Sequence, residues 1–168
     1  MLYILDAYNV IHKMRRFETA LDTDLRTARE ALSTLCAGVA QRRGDITSMI
    51  LVFDGRSEWN DLPKKAAAKI RLVFSETNED ADDRIATLLA KLPEKPEKCV
   101  VSDDNSVRNH ARAYRARVMS VAEFEKFTNT AEGKNKDRKK TDSSAEKTSL
   151  PPGIAKKITD AYRKDLGL

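Results

Sequence analysis

The sequence predicts an α/β protein: a three-layer α/β/α sandwich around a mainly parallel sheet of four to five strands, followed by a basic C-terminal tail. Short unbroken apolar runs, typical of strands covered on both faces, alternate with segments whose apolar residues recur every three or four positions. The charge separates a neutral domain from the basic tail. Residues 1–125 contain 20 Lys/Arg and 20 Asp/Glu, whereas residues 126–168 contain 11 and 6, so the net charge of +5 lies entirely in the tail.

Each element follows from a local pattern. The apolar runs predict strands over residues 2–5, 48–53, 70–74, 99–101 and 116–119. Helical periods lie between them over residues 25–39, which Gly44 ends, over 79–92, which Pro93 ends, and over 104–114. Residues 60–69 are predicted to form a shorter helix or a turn. Strand–helix alternation of this kind favours a parallel sheet with right-handed crossovers.

Composition predicts three segments. Residues 1–127 form the globular domain. Residues 128–149 contain almost no apolar side chains and are expected to be a disordered polar linker. Residues 150–168 carry apolar residues at helical spacing after Pro151-Pro152, which predicts a short amphipathic helix. The basic tail is expected to tether the protein to RNA or to a ribosome, with a plain solubilising role as the alternative.

Nothing in the sequence indicates a membrane or an oxidising compartment. No apolar run approaches 18 residues, and the start of the chain turns acidic at Asp6, too early for a signal peptide. The cysteines, Cys36 and Cys99, stand in apolar stretches without metal or redox spacing and are expected to be buried thiols. A cytosolic protein without a membrane partner is therefore expected.

The acidic residues occupy one kind of position. Asp6 follows the first predicted strand, Asp54 the second, and Asp103 with Asp104 the fourth. Because the carboxyl ends of parallel strands meet at one edge of a sheet, these acids are expected to converge in space. As isolated residues they would be interpreted as turn and cap residues, but their common placement favours a site.

A further contribution comes from the helix that begins near Glu79. At about 100° per residue, Glu79 and Asp82 share the apolar stripe that faces the sheet, whereas Asp80 and Asp83 point elsewhere. A carboxylate cluster without paired Cys or His suits Mg²⁺ or Mn²⁺ better than Zn²⁺. The chemistry that suits such a site is phosphodiester hydrolysis.

These residues resemble the YacP-like NYN domain nucleases of the PIN-like superfamily over about residues 1–125. The motifs that carry the resemblance are Ile4-Leu-Asp-Ala-Tyr-Asn-Val-Ile-His12, Leu51-Val-Phe-Asp-Gly55, Glu79-Asp-Ala-Asp82 with Ile85, and Val100-Val-Ser-Asp103. The chain departs from the family in having Ala7 in place of Gly and Asp80 in place of Thr.

The resemblance implies a Mg²⁺- or Mn²⁺-dependent endoribonuclease, with relatives associated with ribosomes and mRNA decay. By position, it implies that Asp6, Asp82 and Asp103 bind the metal and that Asn9 orients a ligand or water. Asp54 and Glu79 would complete the catalytic cluster. Asp104 is either an outer-shell acid or the cap of the helix that starts there.

Basic and aromatic residues suggest how RNA is held. Arg56 and Trp59 follow the Asp54 turn, where a guanidinium and an indole would suit the phosphate and base of single-stranded RNA. Core packing is the alternative for Trp59. A basic stripe along the next helix could hold phosphates or form a solvated face; it consists of Arg108, Arg112 and Arg115.

Other functions fit less well. His12 is expected to be a partly buried structural residue rather than a substrate contact. An aspartyl phosphatase would need a second acid two residues after Asp6, where Tyr8 stands. A non-catalytic RNA- or ribosome-binding module remains the alternative function, although a module that only binds phosphates would be hindered by the acidic cluster.

Overall fold

The computed structural model describes residues 1–55, 69–75 and 80–142, with side chains described to residue 131. The strands of these ranges are β1 (Leu2–Asp6), β2 (Ser48–Phe53), β3 (Ile70–Phe74), β4 (Lys98–Val101) and β5 (Arg117–Met119). The helices are α1 (Ala7–Lys13), α2 (Glu18–Thr23), α3 (Leu25–Arg42), α4 (Ala81–Lys91), α5 (Asn105–Ala113) and α6 (Val121–Asp142), and a 3-10 turn, Arg15–Phe17, joins α1 to α2.

The strands form one sheet in the order β3-β2-β1-β4-β5, and all paired strands are parallel. Leu5 near the end of β1 is in register with Leu51 of β2 and Val101 of β4. The strand order reverses between β1 and β4. In open α/β sheets the crevice at the carboxyl ends of two such strands is where ligands bind, so the topology marks a site beside Asp6.

Helices cover both faces of this sheet, which confirms the predicted α/β/α sandwich. Tyr3 and Leu5 of β1 point into a core that also contains buried residues of α1, α3 and α6. Leu2 and Ile4, which alternate with them, point into a second core built with α4 and α5. A strand that is buried on both faces has a continuous apolar sequence, which is why the strands were visible in the sequence.

The predicted strands agree with the structure to within a residue at either end. β2 and β3 have the predicted bounds, β1 and β4 are each one residue longer, and β5 begins one residue later. The helices α1 and α2 were not predicted. With seven and six residues they are too short to show a helical period. Most of the segment predicted as a helix or turn over 60–69 lies outside the described residues.

The prediction of a disordered linker from residue 128 is wrong for residues 128–142, which continue α6. Phe124 and Ala131 belong to the core that contains Tyr3 and Leu5 of β1, and Thr128 between them is buried, so the helix has an inward face beyond the predicted boundary. Its start is fixed by a capping box, in which Ser120 Oγ accepts from Glu123 N and Glu123 Oε2 accepts from Ser120 N.

By its internal contacts the chain divides into two units, Met1–Glu132 and Gly133–Leu168, rather than at residue 127. Residues 143–168, which include the rest of the predicted linker and the predicted terminal helix, lie outside the described residues.

The cysteines are as predicted. Cys36 and Cys99 are free and buried. Burial raises the pKa of Cys36 to about 12 and that of Cys99 to about 11, so both are unreactive thiols. Within the described ranges, no helix has both the length and the apolar character to cross a bilayer.

Candidate active site

A cleft of about 270 Å³ lies at the carboxyl ends of β1 and β4, where the strand order reverses. Carboxylates come from the end of β1, from the first turn of α4 and from the turn after β4. The other side is formed by α1. The lining residues are Asp6, Tyr8, Asn9, His12, Lys13, Asp82 and Asp104.

Asp6 is the buried acid of the cleft, with 7% of its surface exposed. It is the last residue of β1 and the N-cap of α1. Its Oδ1 accepts from Asn9 N at 3.2 Å, and its Oδ2 accepts from the Ser102 hydroxyl at 3.0 Å. Burial raises the pKa of Asp6, these two hydrogen bonds lower it, and the nearby carboxylates of Asp104 and Asp54 raise it again. The pKa of Asp6 is raised on balance, because burial and the neighbouring carboxylates outweigh the two hydrogen bonds.

Asp82 lies in the first turn of α4 and is half-buried, whereas Asp83 is exposed. Asp80 caps this helix by accepting from Asp83 N at 2.9 Å. Partial burial raises the pKa of Asp82, as do the carboxylates of Asp104, Asp80 and Asp6, while a hydrogen bond from Ser106 lowers it. The helix thus directs Asp82 into the cleft, on the side that the sequence predicts.

The two acids after β4 have different surroundings. Asp103 Oδ1 accepts from Val121 N at 3.0 Å, and its Oδ2 lies 3.2 Å from Lys13 Nζ. Asp103 therefore joins α1 to α6 and does not line the cleft. Asp104 is the N-cap of α5, where its Oδ1 accepts from Ser106 N at 2.7 Å, and it lines the cleft. The structure thus brings Asp104, rather than Asp103, to Asp6 and Asp82.

Asp54 lies at the end of the neighbouring strand β2 and is exposed. Its Oδ1 accepts from the Ser75 hydroxyl at 2.9 Å, beyond the end of β3. Its charge contributes to the raised pKa of Asp6, although Asp54 does not line the cleft. Three further predicted site residues lie outside the described residues: Arg56, Trp59 and Glu79.

The predicted basic stripe does not reach the cleft. Arg108 is half-buried within α5, and Arg112 donates to its neighbour Asn109 at 3.1 Å. Arg115 lies beyond the end of α5 with a φ of 55°, so it does not continue the helical stripe. It lines a separate hollow with Lys98 and Arg117, which begin β4 and β5 at the opposite edge of the sheet.

The sequence interpretation placed Asn9 of α1 at the site but missed the other residues of this helix that line the cleft. Tyr8, His12 and Lys13 all line it, and His12 is exposed rather than partly buried as expected. The available signal was Asp6, since an aspartate directly before apolar residues is a candidate N-cap. A helix starting there would have placed Tyr8 and His12 on one face.

The cleft offers oxygen ligands of the type that Mg²⁺ or Mn²⁺ takes. Within residues 1–55, 69–75 and 80–131, however, no three His, Cys, Asp or Glu side chains are close enough to surround a metal ion. Mg²⁺ needs only one or two protein carboxylates, since water and substrate phosphates complete its shell. The repelling carboxylates of Asp6 and Asp82 fit such an ion. Zn²⁺ prefers thiolate or imidazole ligands, and the described residues of the cleft include no cysteine and a single histidine.

Comparison with known proteins agrees with this architecture. The model of the YacP-like NYN domain matches residues 3–165. A crystal structure of a mutant of Rae1 (YacP) from Bacillus subtilis has a TM-score of 0.72 and 21% identity, covering 87% of this chain and 86% of that one. A second Rae1 (YacP) structure from the same organism has a TM-score of 0.66 and 21% identity, covering 99% and 97%. No curated protein matches the chain.

Proposed function

Because the chain belongs to the YacP-like NYN domain family, whose members are generally nucleases, we propose that it is a Mg²⁺- or Mn²⁺-dependent endoribonuclease. The substrate is single-stranded RNA, including mRNA on or near ribosomes. The observation that carries the proposal is the convergence of Asp6, Asp82 and Asp104 on one cleft at the reversal point of the sheet. Their mutual repulsion is what a divalent cation would relieve.

In this proposal Asp6 and Asp82 would hold the metal, and Asp104 lines the same cleft. A bound divalent cation stabilises the charge that develops on the attacking and leaving oxygens of a phosphodiester. Asp103, which the family resemblance assigns to the metal, instead supports the site by holding Lys13 and the start of α6. Asp54 adds negative charge from the next strand end, and Glu79 keeps its proposed place in the cluster.

Asn9 orients a ligand. Its backbone N–H donates to Asp6, and its Oδ1 accepts from Asp103 N at 3.0 Å, which orients the side-chain amide. The Nδ2 group is then the donor that Asn9 offers to a water or a phosphate oxygen in the cleft. This pre-orientation places a donor beside Asp6 without further ordering of the side chain.

The alternative is a non-catalytic RNA- or ribosome-binding module with the same fold. A carboxylate as buried as Asp6, with a raised pKa and further acids facing it, is a cost to folding and to phosphate binding. A module that only binds RNA gains nothing from it. The acids of the cleft therefore favour the enzyme.

The deciding experiment incubates end-labelled single-stranded and duplex RNA with wild type and Asp6→Asn, in Mg²⁺, in Mn²⁺ and in EDTA. Asparagine caps a helix about as well as aspartate, so the variant should keep α1 in place. Asp83→Asn, exposed in the same turn as Asp82, is the matched control.

Metal-dependent internal cleavage of single-stranded RNA by wild type and Asp83→Asn, lost in Asp6→Asn, is the expected result. RNA binding by all three proteins without cleavage would identify a binding module instead. Equal cleavage by wild type and Asp6→Asn would remove Asp6 from the site.

A further inference from the structure

We propose that the side of the cleft formed by Tyr8, His12 and Lys13, here called the α1 wall, is a nucleotide-binding subsite. The ring of His12, with that of Tyr8 beside it, stacks on one base of a single-stranded RNA, and Lys13 binds a phosphate next to it. This inference rests on the proposed function and deepens it, because it assigns the base and phosphate contacts beside the acids.

The α1 wall lies beside the acids because α1 starts directly after Asp6. Tyr8 and His12 are four residues apart on one face of the helix, with ring centroids 6.3 Å apart and planes inclined at 39°. Tyr8 is half-buried and His12 is exposed, and both line the cleft that contains Asp6. Together they present an aromatic surface to any strand that enters.

Tyr8 is held rigidly from behind. The buried Arg29 of α3 donates to the Tyr8 hydroxyl, and its guanidinium lies 5.3 Å from the Tyr8 ring centroid. The ring of Phe53 meets Tyr8 at an angle of 75° with centroids 5.7 Å apart. Because the Tyr8 ring is already fixed, little conformational entropy is lost when a base stacks beside it on His12.

Lys13 gives the α1 wall its charge. Its side chain is 51% exposed, and its Nζ lies 3.2 Å from Asp103 Oδ2, which holds the amine at the rim of the cleft. Asp82 and Asp104 reach the same cleft from the starts of α4 and α5. A polynucleotide needs a cation near its phosphates to approach such an acidic cleft, and Lys13 supplies one without occupying the metal position.

A stacking platform requires a base that is free of its partner, so the α1 wall should favour single-stranded over duplex RNA. Stacking tolerates any base, since each has a π face. The subsite is therefore expected to bind single-stranded RNA with little sequence preference.

The test measures binding of a fluorescein-labelled single-stranded oligoribonucleotide in the Asp6→Asn background with Mg²⁺, so that affinity is measured without cleavage. His12→Ala should weaken binding roughly five- to hundredfold, the effect of removing one base stack. His12→Phe, which keeps a ring, should retain the affinity. Tyr114→Ala, an exposed aromatic residue at the opposite edge of the sheet, is the matched control and should bind as the parent does.

Two further measurements separate stacking from charge. In a series of oligonucleotides with one abasic position each, the effect of His12→Ala should disappear at the position that occupies the subsite. Lys13→Gln should lower the slope of log K against log salt by about 0.7, the value for one neutralised phosphate on a single strand. Thermal unfolding checks that each variant is folded.

The outcomes separate the subsite from the proposed function. Unchanged binding by His12→Ala, or equal loss in His12→Ala and His12→Phe, would overturn the stacking role even if wild type cleaves RNA. Cleavage by wild type without measurable binding by the Asp6→Asn parent would assign the binding energy to the acids and the metal, and would overturn the subsite as well. Absence of both binding and cleavage would contradict the proposed function itself.

Discussion

Asp103 and Asp104 are adjacent aspartates with different surroundings, and the backbone geometry of the turn after β4 decides which of them lines the cleft. Asp104 is the N-cap of α5, with an extended φ of −68° and ψ of 132°, and its carboxylate lies over the helix start at the cleft. Asp103, one residue earlier, projects toward Lys13 and α6. The sequence placed an acid after β4, but it could not distinguish Asp103 from Asp104, because that choice depends on the turn into α5.

We predict that Asp104→Asn loses metal-dependent cleavage, whereas Asp103→Asn retains part of it. Asparagine preserves the α5 cap and removes a repelling charge, so the melting temperature of Asp104→Asn should be unchanged or raised. Asp103→Asn loses its ion pair with Lys13, which is partly exposed and contributes about 0–1 kcal/mol. Cleavage rates in Mn²⁺ and thermal unfolding are the measurements. Full loss of cleavage in Asp103→Asn with unchanged stability would identify Asp103 as a metal ligand.

A second prediction concerns the stability of the metal-free protein. Burial raises the pKa of Asp6, so the folded state holds this proton more tightly than the unfolded state does. Its contribution to stability is complete below the unfolded pKa and is lost as the pH rises through the folded value. In EDTA, Asp6→Asn should therefore be more stable than wild type at pH 7, and the difference should shrink toward pH 4. Urea unfolding at both pH values measures this, and a variant less stable at pH 7 would show that the charged form is compensated.

At the scale of elements, the sequence was informative where a pattern is long or strongly apolar. The strands and α3 follow from such patterns, as does the inward direction of Asp82 on α4. The sequence failed at short helices and at helix ends. Arg115 was counted in a helical stripe, although α5 ends at Ala113. The composition of residues 128–142 hid the inward face of α6, because only Thr128 and Ala131 are buried there among the described side chains.

The end of the folded body is therefore expected near residue 132 rather than 127. A chain ending at Phe127 lacks the buried residues Thr128 and Ala131, so its α6 has a shorter buried face. We predict that the 1–127 protein melts several degrees below the 1–132 protein, since each kcal/mol shifts the melting temperature by about 2–8 °C. Equal melting temperatures would show that the packing of Thr128 and Ala131 contributes nothing.

At the scale of the whole molecule, the cleft and the excess positive charge lie in different parts of the chain. Residues 1–132 carry 21 Lys/Arg and 21 Asp/Glu, and residues 133–168 carry 10 and 5, so the excess positive charge lies outside the domain that holds the cleft. An acidic cleft in a neutral domain attracts RNA weakly from a distance. The basic segment 133–168 is positioned in sequence to supply that attraction.

The last prediction is that residues 133–168 tether the protein to RNA and take no part in cleavage. The 1–132 protein should cleave a short oligonucleotide at the rate of the full chain in the same metal, because every described residue of the cleft lies before residue 132. Its affinity for long RNA or for ribosomes should fall, since the basic side chains that neutralise phosphates are missing. The slope of log K against log salt should become shallower by about 0.7 for each phosphate that is no longer neutralised. Binding titrations of both proteins at several salt concentrations measure this slope. An unchanged slope on long RNA would show that the basic segment does not bind the phosphates, and loss of short-oligonucleotide cleavage would show that it contributes to the active site.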